Sequence, residues 1–414
     1  MSIIQKFIQA RRFLFQPFNA VYLIAWGSIL LGYWRGINNH IPILGTMTDE
    51  LEWCIILAPI LLSLPKLLKR ITMYDHMFVF TCFILYVVNI LLYPQNEEVL
   101  LGRLFSFSIL TLPYYYIGVS LDIKKFYKSF YYISVIAIYM CAFYELLYAQ
   151  SVSYTGDTSE YNMGLAYDTL PHVLMVSWWA LKKLGLFNIA SMLLGLLLLL
   201  SLGTRGPVIC AIVFIAVYLL FIRPSKYQKT MRIITISLAV FAISFLDQFM
   251  TFMQMLTFQL GMSTRIFDKY FEGEMETSVG RDYIRETLLR ELSNDNSLLG
   301  YGILGSYPFV NTYPHNIVLD FLFSFGSVFG VVLLVCILFI IIRMLIKYSQ
   351  DEINKSFGII LVITSVLKLC FSSTFIDDAM FFMLLGYCAN SIRKIEYGKT
   401  YFTLPIPSVE NEFI

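Results

Sequence analysis

Charge is what this chain has least of. Asp, Glu, Lys and Arg together make up 14% of its 414 residues, against roughly 25% in soluble domains. Net charge is only +2, which leaves no basic surface for nucleic acid. There is no Walker loop, no Gly-rich nucleotide loop and no zinc motif, so neither a cofactor nor a metal is expected. Cys54, Cys82, Cys141, Cys210, Cys336, Cys370 and Cys388 all fall within apolar runs and lack metal-ligand spacing, which argues against disulfides. Met1 to Phe15 has no cleavable signal pattern; Lys6, Arg11 and Arg12 read as the cytoplasmic flank of a first span. No inverted or tandem repeat of the kind many transporters carry is visible.

What the chain does have is long apolar stretches. Hydrophobic residues are 58% of the total, and the runs predict an all-α polytopic membrane protein. About twelve spans are expected, near 17–34, 51–65, 75–93, 104–121, 129–148, 164–181, 186–203, 206–222, 232–248, 322–346, 355–374 and 379–392. Basic clusters such as Lys66/Lys69/Arg70, Lys124/Lys125/Lys128 and Arg393/Lys394/Lys399 mark alternate turns as cytoplasmic, with both termini inside. The organisation is then 1–248 with nine spans, 249–314 as one large extracytoplasmic loop bearing short amphipathic helices, and 315–414 with three spans and a cytoplasmic tail. The localisation expected is the cytoplasmic membrane.

This threading leaves nine of the 30 basic residues on the outer side: Arg35, Arg103, Arg205, Arg265, Lys269, Arg281, Arg285, Arg290 and Lys368. An outer cation opposes the topology rule and needs another reason to be there. Most of the nine are Arg, whose planar fork grips phosphate or carboxylate at two points where Lys offers a point charge. The large loop itself is net acidic, so anion binding has to come from particular arginines.

The stretch Arg281 to Leu292 reads as a helix. Arg281 and Arg285 fall among Ile284, Leu288 and Leu292 on its apolar face and near its N-terminus, where the dipole disfavours cations. Their alternative is snorkelling to lipid headgroups. Arg290 falls on the polar face four residues after Glu286, which suits a structural ion pair. Arg205 sits in the turn Leu202-Gly203-Thr204-Arg205-Gly206-Pro207 between two spans, where it can meet a lipid phosphate or anchor to headgroups. His315 follows Pro314, which suits the first position of a helix. The dipole there would favour a neutral imidazole able to act as general base; an ordinary interface histidine is the plainer reading. Asp168 and His172, four apart within one span, could be an intramembrane site or an interhelical lock. Lys368 could snorkel or meet a phosphate. Asp377-Asp378 could share a metal, but two carboxylates without further ligands are weak ground for one, and none is assigned.

Three ordered segments resemble the O-antigen ligase and Wzy-type polysaccharide polymerase superfamily. They are Leu200-Ser201-Leu202-Gly203-Thr204-Arg205-Gly206-Pro207; Gly280-Arg281 followed by Asn296-Ser297-Leu298-Leu299-Gly300-Tyr301-Gly302; and Pro314-His315-Asn316 followed by Phe325-Gly326 and Phe329-Gly330. Ser297 stands where that family often has Pro. The resemblance covers about residues 185–345. It implies a metal-independent glycosyltransferase that polymerises surface polysaccharide (O-antigen, capsule or exopolysaccharide) from undecaprenyl-pyrophosphate-linked oligosaccharide repeat units. It implies His315, Arg281 and Arg205 as catalytic residues. Arg285, Arg265, Tyr313, Asn316 and Lys368 join them as substrate-binding candidates, and Asp168 or Asp320 as the next proton acceptors to consider. Membrane lipid is an expected partner, and a chain-length regulator a further one. The alternatives are a ligase that moves the glycan onto a lipid or protein acceptor, or a flippase or transporter using Asp168, His172 and Lys368 along a pathway.

Overall fold

The computed structural model describes residues 71–152, 163–183, 185–221, 246–259, 264–272, 279–294 and 299–400, with three isolated positions between 233 and 244. The expected spans 17–34, 51–65 and most of 232–248 lie outside the described residues. The protein is all-helical, with no strand among the described residues. Each expected span from 75–93 to 206–222, and from 322–346 to 379–392, has a helix at its place. In order these are α1 (Met73–Leu92), α2 (Glu97–Phe105), α3 (Tyr114–Ser120), α4 (Ile123–Val152), α5 (Met163–Lys182), α6 (Leu186–Ser201), α7 (Arg205–Phe221), α8 (Leu246–Gln259), α9 (Arg265–Phe271), α10 (Val279–Asn294), α11 (Tyr307–Val310), α12 (Ile317–Lys347), α13 (Glu352–Val362) and α14 (Ala379–Thr400). Helix α8 runs through residues 248 and 249, where the sequence suggested a span ending and a loop beginning.

Among the described residues two helices, α1 and α12, are long and apolar enough to cross a membrane. Both carry large apolar side chains on their open faces: Met73, Phe80 and Leu91 on α1, and Val328, Val332, Val335, Leu338 and Ile342 on α12. A continuous apolar surface of this kind is out of place in water. The core behind these faces has two parts. One joins α4, α5, α6 and α7 to the far half of α12 and to α13 and α14. The other joins α1, α2 and α3 to Ile303, Leu304, Ile317 and Phe321 and to Phe375, Ile376, Phe381 and Phe382. Backbones approach closely where small residues permit: a side chain at Gly118 would collide with the Met383 carbonyl, and one at Gly386 with that of Tyr115.

Polar contacts sort the helix ends into two groups. At one end Asp75, fully buried, is held by the Arg393 guanidinium (Nη1 to Oδ2 2.6 Å), by the Thr72 backbone at 2.7 Å and by the Tyr115 hydroxyl at 3.2 Å. Lys124 pairs with Asp351 at 2.6 Å and Lys182 with Glu352 at 3.2 Å. At the other end Arg103 pairs with Asp377, and Lys368 Nζ lies 2.8 Å from Asp378 Oδ2. The sorting follows the alternation of charged turns along the sequence.

The sequence suggested that Pro314 opens a helix with His315 inside it, and that a single span covers 322–346. The first expectation is corrected, and the long apolar helix expected at 322–346 is present but broken near its start. The helix starts at Ile317, because the Asn316 side chain caps it by accepting from Val318 N at 2.9 Å and Leu319 N at 3.3 Å. It then breaks at Gly326, whose φ of 80° and ψ of 170° lie outside helical space. Residues Gly300 to Gly302 pass through the break, and Tyr301 N donates to Phe323 O at 2.8 Å. Gly300 (φ +74°) lies so near that a Cβ there would meet Phe323 O at 2.7 Å. Beyond the break, Gly330 packs on the Phe321–Leu322 backbone, so the chain turns sharply back. Substituting Gly326→Ala is expected to lower the thermal midpoint of the purified protein clearly, by about 1–3 kcal/mol of backbone strain. An unchanged melting curve would show that the break is not required.

Candidate functional site

Four of the cations that the sequence pattern assigns to the outer side converge. Arg205 is the first residue of α7, Arg265 the first of α9, Lys269 lies one turn further along α9, and Arg281 sits in the first turn of α10. Together with Tyr167, Thr204 and Gly206 they line one cavity of about 90 Å³. That is well below the roughly 300–1,000 Å³ of pockets that enclose whole drug-sized ligands, so the cavity suits a charged headgroup. The turn that delivers Arg205 is made by Gly203 (φ +71°). Gly206 has no side chain because a Cβ would collide with the Tyr167 hydroxyl.

His315 stands beside this cluster. Its backbone is left-handed (φ 54°), a conformation His adopts more readily than most residues. Its ring packs on Tyr313 with centroids 4.3 Å apart, and its Nδ1 is buried without a hydrogen-bond partner. Burial, with the Arg281 guanidinium second, pulls its pKa from 6.5 down to about 4. The imidazole is therefore neutral at physiological pH. Burial and Arg281 do what the sequence reading assigned to a helix dipole, because the helix begins two residues later.

Other expected residues fall differently. Arg285 is exposed and pairs with Asp282 at 3.5 Å, away from the cavity. The packed face of α10 is centred on Thr287 and Leu288, which rotates Arg285 outward relative to the expected helical phase. Arg290 pairs with Glu291 at 3.6 Å instead of Glu286. Asn316 gives its Oδ1 to the α12 cap. Lys368 is held by Asp378, and its Nζ lies 5.5 Å from the Tyr167 ring centroid, just after the π-helical turn Ile363–Leu367. Asp377 and Asp378 do not face one common centre: each is held by a separate cation, Arg103 or Lys368. Asp168 and His172 also diverge. Asp168 is exposed, whereas His172 is in the core with Nδ1 3.1 Å from Ser134 Oγ. Asp320 is buried and accepts from Thr374 Oγ1 at 2.7 Å and Phe375 N at 3.3 Å.

Tyr167, Thr204 and Lys269 were not singled out as site residues by sequence reasoning. Lys269 belonged to the outer cations, which was its only signal. Tyr167 is one of 28 tyrosines and nothing in its neighbourhood distinguishes it. Comparison with family models, with curated proteins and with solved structures gave no match.

Proposed function

We propose that the protein is a polytopic membrane glycosyltransferase that polymerises a bacterial surface polysaccharide from pyrophosphate-linked lipid donors on the outer face of the cytoplasmic membrane. The observation that carries the reading is the gathering of Arg205, Arg265, Lys269 and Arg281, from three separate helices, around one small cavity beside a neutral histidine. Cations concentrated this way offset a dianionic or more highly charged group, and arginine forks fit its oxygens.

In the reaction proposed, a sugar hydroxyl of the acceptor repeat unit attacks the anomeric carbon of the growing chain. The new C–O bond forms as the bond to the pyrophosphate oxygen breaks, and the electron pair leaves with undecaprenyl pyrophosphate. The hydroxyl proton passes to His315, whose imidazole is neutral and so able to accept it. The cations stabilise charge growing on the leaving oxygen. The driving force is the pyrophosphate linkage itself, in keeping with a sequence that carries no nucleotide motif.

Purified protein given lipid-linked repeat units should produce a ladder of longer glycans. Movement of the lipid-linked unit across vesicles without new glycosidic bonds would establish a transporter instead, and transfer only to a non-repeat acceptor would establish a ligase. The sidedness is tested separately. A cysteine at Tyr283, which is exposed on α10, should react with an impermeant reagent in intact spheroplasts. A cysteine at Lys124 should react only after lysis. The reverse pattern would overturn the assignment of sides.

A further inference from the structure

The cavity holds more than cations. Thr204 stands immediately before α7, where a Thr normally caps its helix by accepting from the second or third N–H. Here the third helical residue is Pro207, which has no N–H, and the Thr204 hydroxyl makes no hydrogen bond although the residue is 6% exposed. A buried hydroxyl without a partner is destabilising. Thr204 lines the cavity between Gly203 and Arg205, beside the amino end of a 17-residue helix. Such an end presents free N–H groups and a positive dipole to an anion. At the same end, the Tyr167 hydroxyl rests against Gly206 and its ring lies under the Lys368 ammonium, which Asp378 anchors.

We infer that Thr204 and Tyr167 are uncharged hydrogen-bond donors to a phosphoryl group bound at the amino end of α7. This inference rests on the reading of the cavity as a phosphate site and adds to it which neutral groups complete the oxygen contacts. Arginines approach from α7, α9 and α10, whereas the two hydroxyls come from the turn before α7 and from α5. A tetrahedral phosphoryl group presents oxygens in several directions and can use both sets at once; a planar carboxylate offers only two oxygens in one plane.

The test is calorimetric titration of the full-length protein, in uncharged detergent at low salt, with inorganic pyrophosphate. Wild type should bind. Thr204→Val, which keeps the shape and removes the hydroxyl, should weaken binding about tenfold, the scale of one hydrogen bond to a charged group. Thr204→Ser should restore it. Tyr167→Phe should also weaken binding several-fold, and it keeps the question answerable if the valine variant fails to fold. The ligand-free thermal midpoint separates this role from a structural one. Thr204→Val should melt no lower than wild type, since it removes an unsatisfied buried hydroxyl, whereas loss of a structural hydrogen bond would lower the midpoint. Binding within twofold of wild type in both Thr204→Val and Tyr167→Phe, with loss of binding in Arg281→Gln, would overturn this inference and leave the phosphate reading standing. Absence of pyrophosphate binding by wild type would overturn both.

Discussion

Arg281→Lys and Arg205→Lys should each reduce polymerisation, measured as kcat/KM on lipid-linked repeat units, by about a hundredfold. Each replacement keeps the positive charge and removes the planar fork. The expected size is that of losing one preorganised donor to a developing oxyanion. The same substitution at Arg285 or Arg290 should stay within about twofold of wild type. Those side chains are exposed and paired with carboxylates of their own helix, Asp282 and Glu291. The comparison is sharp because Arg281 and Arg285 are one turn apart on α10. Equal sensitivity at both would mean that α10 presents a different face to the cavity in the working protein.

His315→Ala should abolish polymer formation, by about a thousandfold or more, the upper range for a positioned general base. Protein yield and pyrophosphate binding should persist. The pH profile is the more specific readout. The base acts in its neutral form, and its pKa is held down to about 4 by burial and by Arg281. Activity governed by this group should therefore be steady from neutral pH down to about 5 and fall only as pH drops through about 4. A solvent-exposed His would lose activity from about 6.5. Arg281→Gln removes the nearby positive charge, so the acid limb of its residual activity should move upward. A limb at 6.5 in wild type would show that the imidazole is open to solvent during turnover. A His315→Gln enzyme with most of its activity would remove His315 as proton acceptor, and Asp168, an exposed carboxylate, would be the next to test.

Much of the helical layout was legible before the structure. Apolar runs and basic turns located α1 and α4 to α7 to within a few residues, because burial in an apolar phase leaves a direct compositional signature. The extent of α10 was also readable. Its rotation was not: Arg281 and Arg285 both suited an apolar face, and only packing at Thr287 and Leu288 decides between them. The arginines could be named as a set by the side to which the charge pattern assigns them. Their convergence depends on how α7, α9 and α10 meet, which no local pattern contains. The start of α12 was misjudged by trusting Pro314 over Asn316, when an Asn that accepts from two following amides is the stronger terminator. The break at Gly326 depends on Gly300, distant in sequence, and would be invisible to any window of neighbouring residues. Asp377 and Asp378 looked like a pair because they are adjacent, yet neighbouring residues in a turn readily project to opposite sides.

The break at Gly326 also acts as a depth gauge. An unbroken helix of 31 residues would be about 46 Å long, some 16 Å more than the hydrocarbon thickness of a bilayer. Its first residues would then stand well clear of the lipid, and so would His315. Ending the crossing at Gly326 leaves Ser327–Lys347 to span, about 31 Å of helix, which matches that thickness. The preceding segment folds back so that Phe321–Leu322 lie against Gly330. This would keep His315, under the proposed function, near the level at which the phosphates of a membrane-anchored substrate lie. Under the proposed function, the vertical position of the chemistry is set by where one glycine interrupts a helix.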